Sequence, residues 1–458
     1  MTAEQRARQP ARWAVSALAL AIVVQFTAGV VGTAYLAADE RGPAPAPATT
    51  RGRPAPRIVG DVPHISAAER ARWAGAVRGL LGQRSAALLH RDRAGFLAGI
   101  DAGSPAFRTR QAKLFDNLSG VPLGAWSYDV DPDREMSQAG SRLTRYHAPV
   151  WAPQVSVSYR LAEFDRRDTS QRQYFTFVQR AGRWYIGADD DFDDTGSRTA
   201  RGLWDFGPVV VSRTATTLVL GHPGSRDALH TITQVASAAI PRVSAVWGSD
   251  WEGRVVILVP DTQAELSQII QEGNDLSQIA AVATTELAGG SGVPAGDRII
   301  VNPPNFAKLG SLGRQVVLRH EITHVAARAA TTGTTPTWLA EGFADYVGYL
   351  GSGVSVASAG RELAVDIRAG RAPKSLPADA DFSGANTGLA QVYEMSWLAC
   401  RLIAASVGQA GLVRFYRTVG GSPDASGTGV EGALRTQLHL SLAQFTVRWR
   451  AYLSGQLV

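Results

Sequence analysis

Residues 320–324 read His-Glu-Ile-Thr-His. Two histidines four apart lie one above the other on one face of a helix. At that spacing both imidazoles can reach one metal ion at about 2.0–2.1 Å. Glu321 projects to nearly the same side, placed to act on water held by the metal without being a ligand itself. A catalytic zinc ion needs a third protein donor and one open position. Glu341 is the candidate donor, seventeen residues after His324, and Asp345 follows it by four on the same face. A zinc-bound histidine commonly donates its other ring N–H to a carboxylate, and Asp345 can be that partner for His320. The predicted cofactor is Zn2+, bound by His320, His324 and Glu341.

Two helices must hold these residues. The segment GRQVVLRHEITHVAARAA (313–330) is apolar at helical spacing, contains no proline, and is closed by Thr331-Thr332-Gly333. The second helix is TPTWLAEGFADYVGYL (335–350), with Thr335 as its N-cap and Pro336 at its first position. Trp338, Leu339, Phe343 and Tyr346 surround the two acids with apolar surface, so a solvated helix face is disfavoured. Upstream, 208–221 reads as a hairpin, 226–247 as an amphipathic helix broken or kinked at Pro241, and RVVILVP (254–260) as a strand. A helix over 261–272 and a strand DRIIVNP (297–303) follow. After residue 313 the chain is mainly helical, including QVYEMSWLACRLIAASVG at 391–408.

HEITH followed by WLAEGFADY resembles the gluzincin metallopeptidases, nearest to the bacterial peptidase MA-like proteins. The resemblance spans about 205–458. It implies His320, His324 and Glu341 as zinc ligands, Glu321 as general base and Asp345 as the acid behind the first histidine. It also implies that the strand DRIIVN is an edge strand that pairs with substrate backbone. In aminopeptidase-like members a Tyr in a YEKG-type segment stabilises the oxyanion. Tyr393, in Tyr393-Glu394-Met395-Ser396, resembles it but departs at the Lys and Gly. A GAMEN-type segment that holds a substrate's free amine is not found before His320. AVATTELAGGSG (281–292) offers only Glu286, which turns the expectation from an exopeptidase toward an endopeptidase.

The N-terminal part carries different signals. Arg6, Arg8 and Arg12 precede an uncharged run from Trp13 to Ala38. Such a run is long enough to span a bilayer, and the positive-inside rule leaves its N-terminus in the cytoplasm. A signal anchor is expected, although small residues at 34–38 leave cleavage and secretion open. Residues 39–62 are Pro/Ala/Arg-rich and form a spacer. Residues 63–204 read as helices followed by antiparallel strands (155–164, 174–180, 184–190), which resembles the nuclear-transport-factor-2-like, cystatin-like class. The acidic cluster Asp189–Asp194 lacks the spacing of a calcium loop and reads as a solvated loop. The expected fold is therefore α+β. Residues 1–38 form the cytoplasmic tip and transmembrane helix, 39–62 the linker, 63–204 the nuclear-transport-factor-2-like domain and 205–458 a thermolysin-like gluzincin domain.

Composition narrows the partners. The net charge is +6, but residues 1–57 hold seven Arg against three acids, so the folded part is near neutral. No basic stripe interleaved with aromatics occurs, which disfavours nucleic acid and leaves a peptide or protein substrate and the membrane. The single cysteine, Cys400, rules out an internal disulfide and a multi-thiolate metal site; among Trp397, Leu398, Leu402 and Ile403 it reads as an inert core thiol. The competing reading is a membrane-anchored binding or assembly protein with a structural or residual zinc site. It leaves Glu321 without a purpose.

Overall fold

The computed structural model describes residues 66–136, 144–270, 279–287, 294–422 and 428–458. The expected membrane helix and the spacer lie outside the described residues.

The first part opens with α1 (Ala67–Leu89), α2 (Arg93–Ala98) and α3 (Pro105–Asn117). Each start has a local cause. Ser66 Oγ accepts from Glu69 N–H at 3.2 Å, Asp92 accepts from Gly95 N–H at 2.9 Å, and Pro105 supplies a preset φ in the first turn of α3. Against these helices lie β1 (Leu123–Glu135), β2 (Val150–Trp151), β3 (Pro153–Leu161), β4 (Thr169–Gln173), β5 (Thr176–Arg180) and β6 (Arg183–Ala188). They form two antiparallel three-stranded sheets, β1-β3-β4 and β2-β5-β6. In β3 every second residue, from Val155 to Leu161, is buried, as a half-buried strand requires. The β5–β6 hairpin turns on Ala181-Gly182, both at positive φ (46° and 80°), so the second position suits glycine. Trp73 of α1 packs edge-on against Trp151 and Trp184 and ties helix to sheet.

The acidic cluster is not a solvated loop throughout. Asp189 is buried between Arg110 and Arg201, and Asp191 is buried against Arg145 with the Tyr146 and Thr176 hydroxyls donating to it at 2.7 Å. Only Asp190, Asp193 and Asp194 face solvent. The arginines that neutralise the buried pair come from 12 to 79 residues away, which local sequence does not show.

The second part is built on a five-stranded sheet of β7 (Val210–Arg213), β8 (Thr217–Gly221), β9 (Val255–Val259), β10 (Ala281–Leu287) and β11 (Pro294–Val301), in the order β10-β11-β9-β8-β7. The inner strands β8, β9 and β11 are parallel and the outer two antiparallel. All five residues of β9 are buried, the continuous apolar run of an interior parallel strand. The expected edge strand, DRIIVN, is thus interior. Its neighbour β10 is the edge on that side, since β11 pairs with β10 on one side and β9 on the other. Between β8 and β9 runs α4 (Arg226–Trp247), packed through Leu229, Ile232, Ala236, Ile240, Val243 and Trp247. It passes through Pro241 without the break that was one of the two expectations there. That proline is on the exposed side, and buried residues on either side hold the helix.

The rest is helical: α5 (Gln263–Ile270), α6 (Pro303–Lys308), α7 (Ser311–Ala327), α8 (Thr337–Tyr349), α9 (Val356–Ala359), α10 (Arg361–Arg368), α11 (Leu389–Gly420), α12 (Thr428–Gln437) and α13 (Leu442–Leu457). Among the described residues α11 alone is long and apolar enough to cross a membrane. Half of its apolar window is buried against other helices, and Gly408 interrupts it at φ 77°, ψ 166°. It is the central helix of the C-terminal half, and Cys400 is buried on it as expected.

The two parts meet over the loop after β3. Asp165 accepts from Arg298 of β11 through both oxygens, at 2.7 and 2.8 Å, and both side chains are almost wholly buried. Glu163 beside it accepts from Arg213 at 2.6 Å through its side chain and from Arg254 at 2.7 Å through its carbonyl.

Candidate metal centre

Helices α7 and α8 bring the predicted donors together. From Val316 to His324 every residue of α7 is buried, so this is a core helix rather than an amphipathic surface one. Helix α8 starts differently from expectation. Pro336 is its N-cap and Thr337 its first residue. A proline offers no capping oxygen, and Asp379, 42 residues on, accepts from Thr337 N–H at 2.9 Å instead. Thr335 turns away and accepts from Thr332 N–H at 3.1 Å. Gly342, next to Glu341, allows α8 to touch α11: a Cβ there would stand 2.3 Å from the Ser396 carbonyl oxygen.

The three donor atoms form a compact triangle. His320 Nε2 lies 3.0 Å from His324 Nε2 and 3.2 Å from Glu341 Oε2, and His324 Nε2 lies 3.5 Å from the same oxygen. Tetrahedral ligands at about 2.0–2.1 Å from zinc stand about 3.3–3.4 Å apart, so the edges bracket the coordination geometry. His320 Nδ1–H donates to Asp345 Oδ1 at 2.8 Å, which leaves the Nε2 lone pair facing the triangle. The orienting role foreseen for Asp345 therefore has its hydrogen bond. All three donors are fully buried, and neither Glu341 oxygen has an ordinary hydrogen-bond donor. A buried carboxylate without donors is costly unless a cation meets it. The residues present fit a zinc cofactor.

Charges around the triangle follow from burial and pairing. Burial opposes the His320 imidazolium, but Asp345 outweighs it and raises the His320 pKa well above its usual value. Burial lowers the pKa of His324. Burial raises that of Asp345, against the pull of His320. Glu341 is also opposed by burial, yet the two histidines bring its pKa below the usual carboxylate value. Glu321 is fully buried and its oxygens make no hydrogen bond of ordinary geometry. Burial pushes its pKa up to about 8, while the backbone amide of Ala283 on β10 pulls the other way. The edge strand thus borders the carboxylate.

Tyr393 is buried on α11 with its ring 5.4 Å from that of Phe382. Its neighbour Glu394 has a structural task, accepting from Leu363 N–H at 2.6 Å and Glu362 N–H at 3.3 Å at the start of α10. The side chain of Glu286 lies outside the described residues. One residue close to the site went unread in the sequence: Arg328, one turn beyond His324, pairs with Asp297 of β11 at 2.8 Å. The i, i+4 step from His324 was the available signal.

No family matches the chain by sequence, and no curated protein matches it. Solved structures that resemble it include an M1 zinc metallopeptidase mutant from Deinococcus radiodurans, at 15% identity and a TM-score of 0.31, covering 62% of this chain and 61% of that one. A two-domain M1 zinc metallopeptidase mutant bound to L-arginine has 15% identity and a TM-score of 0.30, with 61% and 59% covered. A two-domain mutant bound to L-tryptophan has 14% identity and a TM-score of 0.29, with 74% and 73% covered. The chain thus spans about three fifths of the length of the first two. These likenesses are loose, and the metal assignment stands on the donor triangle.

Proposed function

We propose that this chain is a zinc-dependent peptidase whose general base is Glu321. The observation that supports this best is the unpaired, fully buried Glu321 carboxylate directly beside the donor triangle. When bound, zinc supplies Lewis acidity that activates water and polarises a carbonyl. His320, His324 and Glu341 hold it, and Asp345 fixes the first imidazole. Glu321 takes the proton of the attacking water and passes it to the leaving amine. Tyr393 is proposed as a hydrogen-bond donor to the oxyanion. Peptide backbone is proposed to lie along the edge strand β10, whose Ala283 amide borders Glu321. Cleavage within a chain is proposed over removal of terminal residues.

Full burial of the centre suits a structural zinc site as well. A structural site, however, gives no reason to bury a third carboxylate, Glu321, that is neither a metal donor nor the partner of one. The remaining parts of the proposal rest on sequence: a single-pass anchor at 13–38 with the rest of the chain outside the membrane, and a nuclear-transport-factor-2-like first domain at 63–204. The helices-then-antiparallel-strands order of that domain accords with the latter.

The test is a peptide-library digest with zinc-loaded protein, using substrates with free and blocked N-termini. Glu321→Gln should keep about one zinc per chain and lose about 10²–10⁴-fold in rate. Equal hydrolysis by the zinc-loaded variant would overturn the assignment, and a loss confined to free N-termini would make the enzyme an aminopeptidase.

A further inference from the structure

We propose that a crevice between α4 and α7 binds a phosphate-type oxyanion, held between Arg242 and Arg319. The crevice has a volume of about 250 Å³ and is lined by Gln234 and Arg242 of α4 and Gln315 and Arg319 of α7, over the buried Ala239. No carboxylate lines it. At about 30 Å³ per water, it has room for one oxyanion and part of its hydration shell.

Arg319 is 6% exposed. Its Nη1 donates to the carbonyls of Gly348 (3.1 Å) and Leu350 (2.7 Å), and its buried Nε has no partner. Those acceptors are neutral, so the guanidinium has hydrogen bonds but no counter-charge. A buried cation in that condition is ordinarily matched by an anion. The charge that α4 contributes makes matters worse, because Arg242, lining the same crevice, is a second cation. Arg242 is exposed and forms no hydrogen bond or ion pair among the described residues. An oxyanion between the two converts their repulsion into two charge-assisted contacts. Gln315 and Gln234 each use one amide contact locally, to Ser311 at 3.4 Å and His230 at 2.9 Å, and each NH2 keeps a second N–H. Donors supplied from two helices suit a tetrahedral oxyanion better than a planar carboxylate.

The location gives the site a consequence. Arg319 immediately precedes His320 and is bonded to the last carbonyls of the α8 end, so an anion there braces both helices that carry the metal donors. Binding does not depend on whether the centre hydrolyses peptides.

The experiment is thermal unfolding of the full, zinc-loaded chain, titrated with inorganic phosphate and separately with glycerol phosphate at constant ionic strength. A saturable rise in Tm is expected. Arg242→Gln should weaken apparent affinity by about tenfold or more, and Arg242→Lys should retain most of it. Arg242 is exposed and unpaired, so its replacement leaves the fold intact. Either phosphate source satisfies the proposal, and their relative affinities show whether the crevice admits an esterified group. A non-saturating rise, equal in wild type and Arg242→Gln, is the general effect of an excluded salt and overturns the proposal. So does the absence of a shift.

Discussion

Asp345 and Glu321 are buried carboxylates at the donor triangle. Asp345 touches the metal only through His320, so its removal should loosen the site without dismantling it. Asp345→Asn is expected to lower zinc affinity about 10–100-fold, read by competition with a chelator. An affinity equal to wild type would mean that the 2.8 Å hydrogen bond does not orient His320. These positions were legible because i, i+4 spacing on a helix is a geometric statement: His320 over His324, and Glu341 over Asp345. Arg328–Asp297 and the buried Asp189 and Asp191 were not, because their partners come from elements that sequence spacing does not link.

Among the elements, α8 is held in place where it crosses α11. Gly342 sits against the Ser396 carbonyl, which is backbone and cannot rotate away. Gly342→Ala should cost about 1–3 kcal/mol by overpacking and displace Glu341 one residue away. Calorimetry of the zinc-loaded and metal-free forms would check both. A stability loss that is the same with and without zinc would show that Glu341 has not moved. Helices α4, α5, α7 and α8 were readable from the sequence to within a few residues at their ends, while α11 runs on past the read end at 408 to Gly420. The α8 cap was misassigned to Thr335 because the true partner, Asp379, lies far along the chain. Strand order was beyond reach. The interior place of β11 comes from its pairing with both β9 and β10, strands of separate segments that its own sequence does not identify.

In the whole molecule the first part is tied to the sheet of the second by Asp165 and Arg298. Asp165→Asn should cost about 3–5 kcal/mol, since it removes the negative charge that faces the buried Arg298 guanidinium. The double variant Asp165→Asn, Arg298→Met should recover part of that loss. In calorimetry the single substitution is expected to lower the transition and to separate the first part from the second; unchanged single-step unfolding would show the pair to be dispensable. The sequence announced two folded regions through its change of pattern near residue 205, but not that they share a buried ion pair.

That ion pair also fixes an order of events at the ribosome. Its partners are 133 residues apart, and at about 5–20 residues per second the acid emerges roughly 7–27 s before the arginine. Asp165 can wait in water as an ordinary solvated carboxylate. Arg298 has no such latitude, because closing β11 between β9 and β10 takes it out of solvent. The partner that Arg298 meets is therefore already made when the later sheet closes. The segment from 205 onward, made alone, should stall with that strand open.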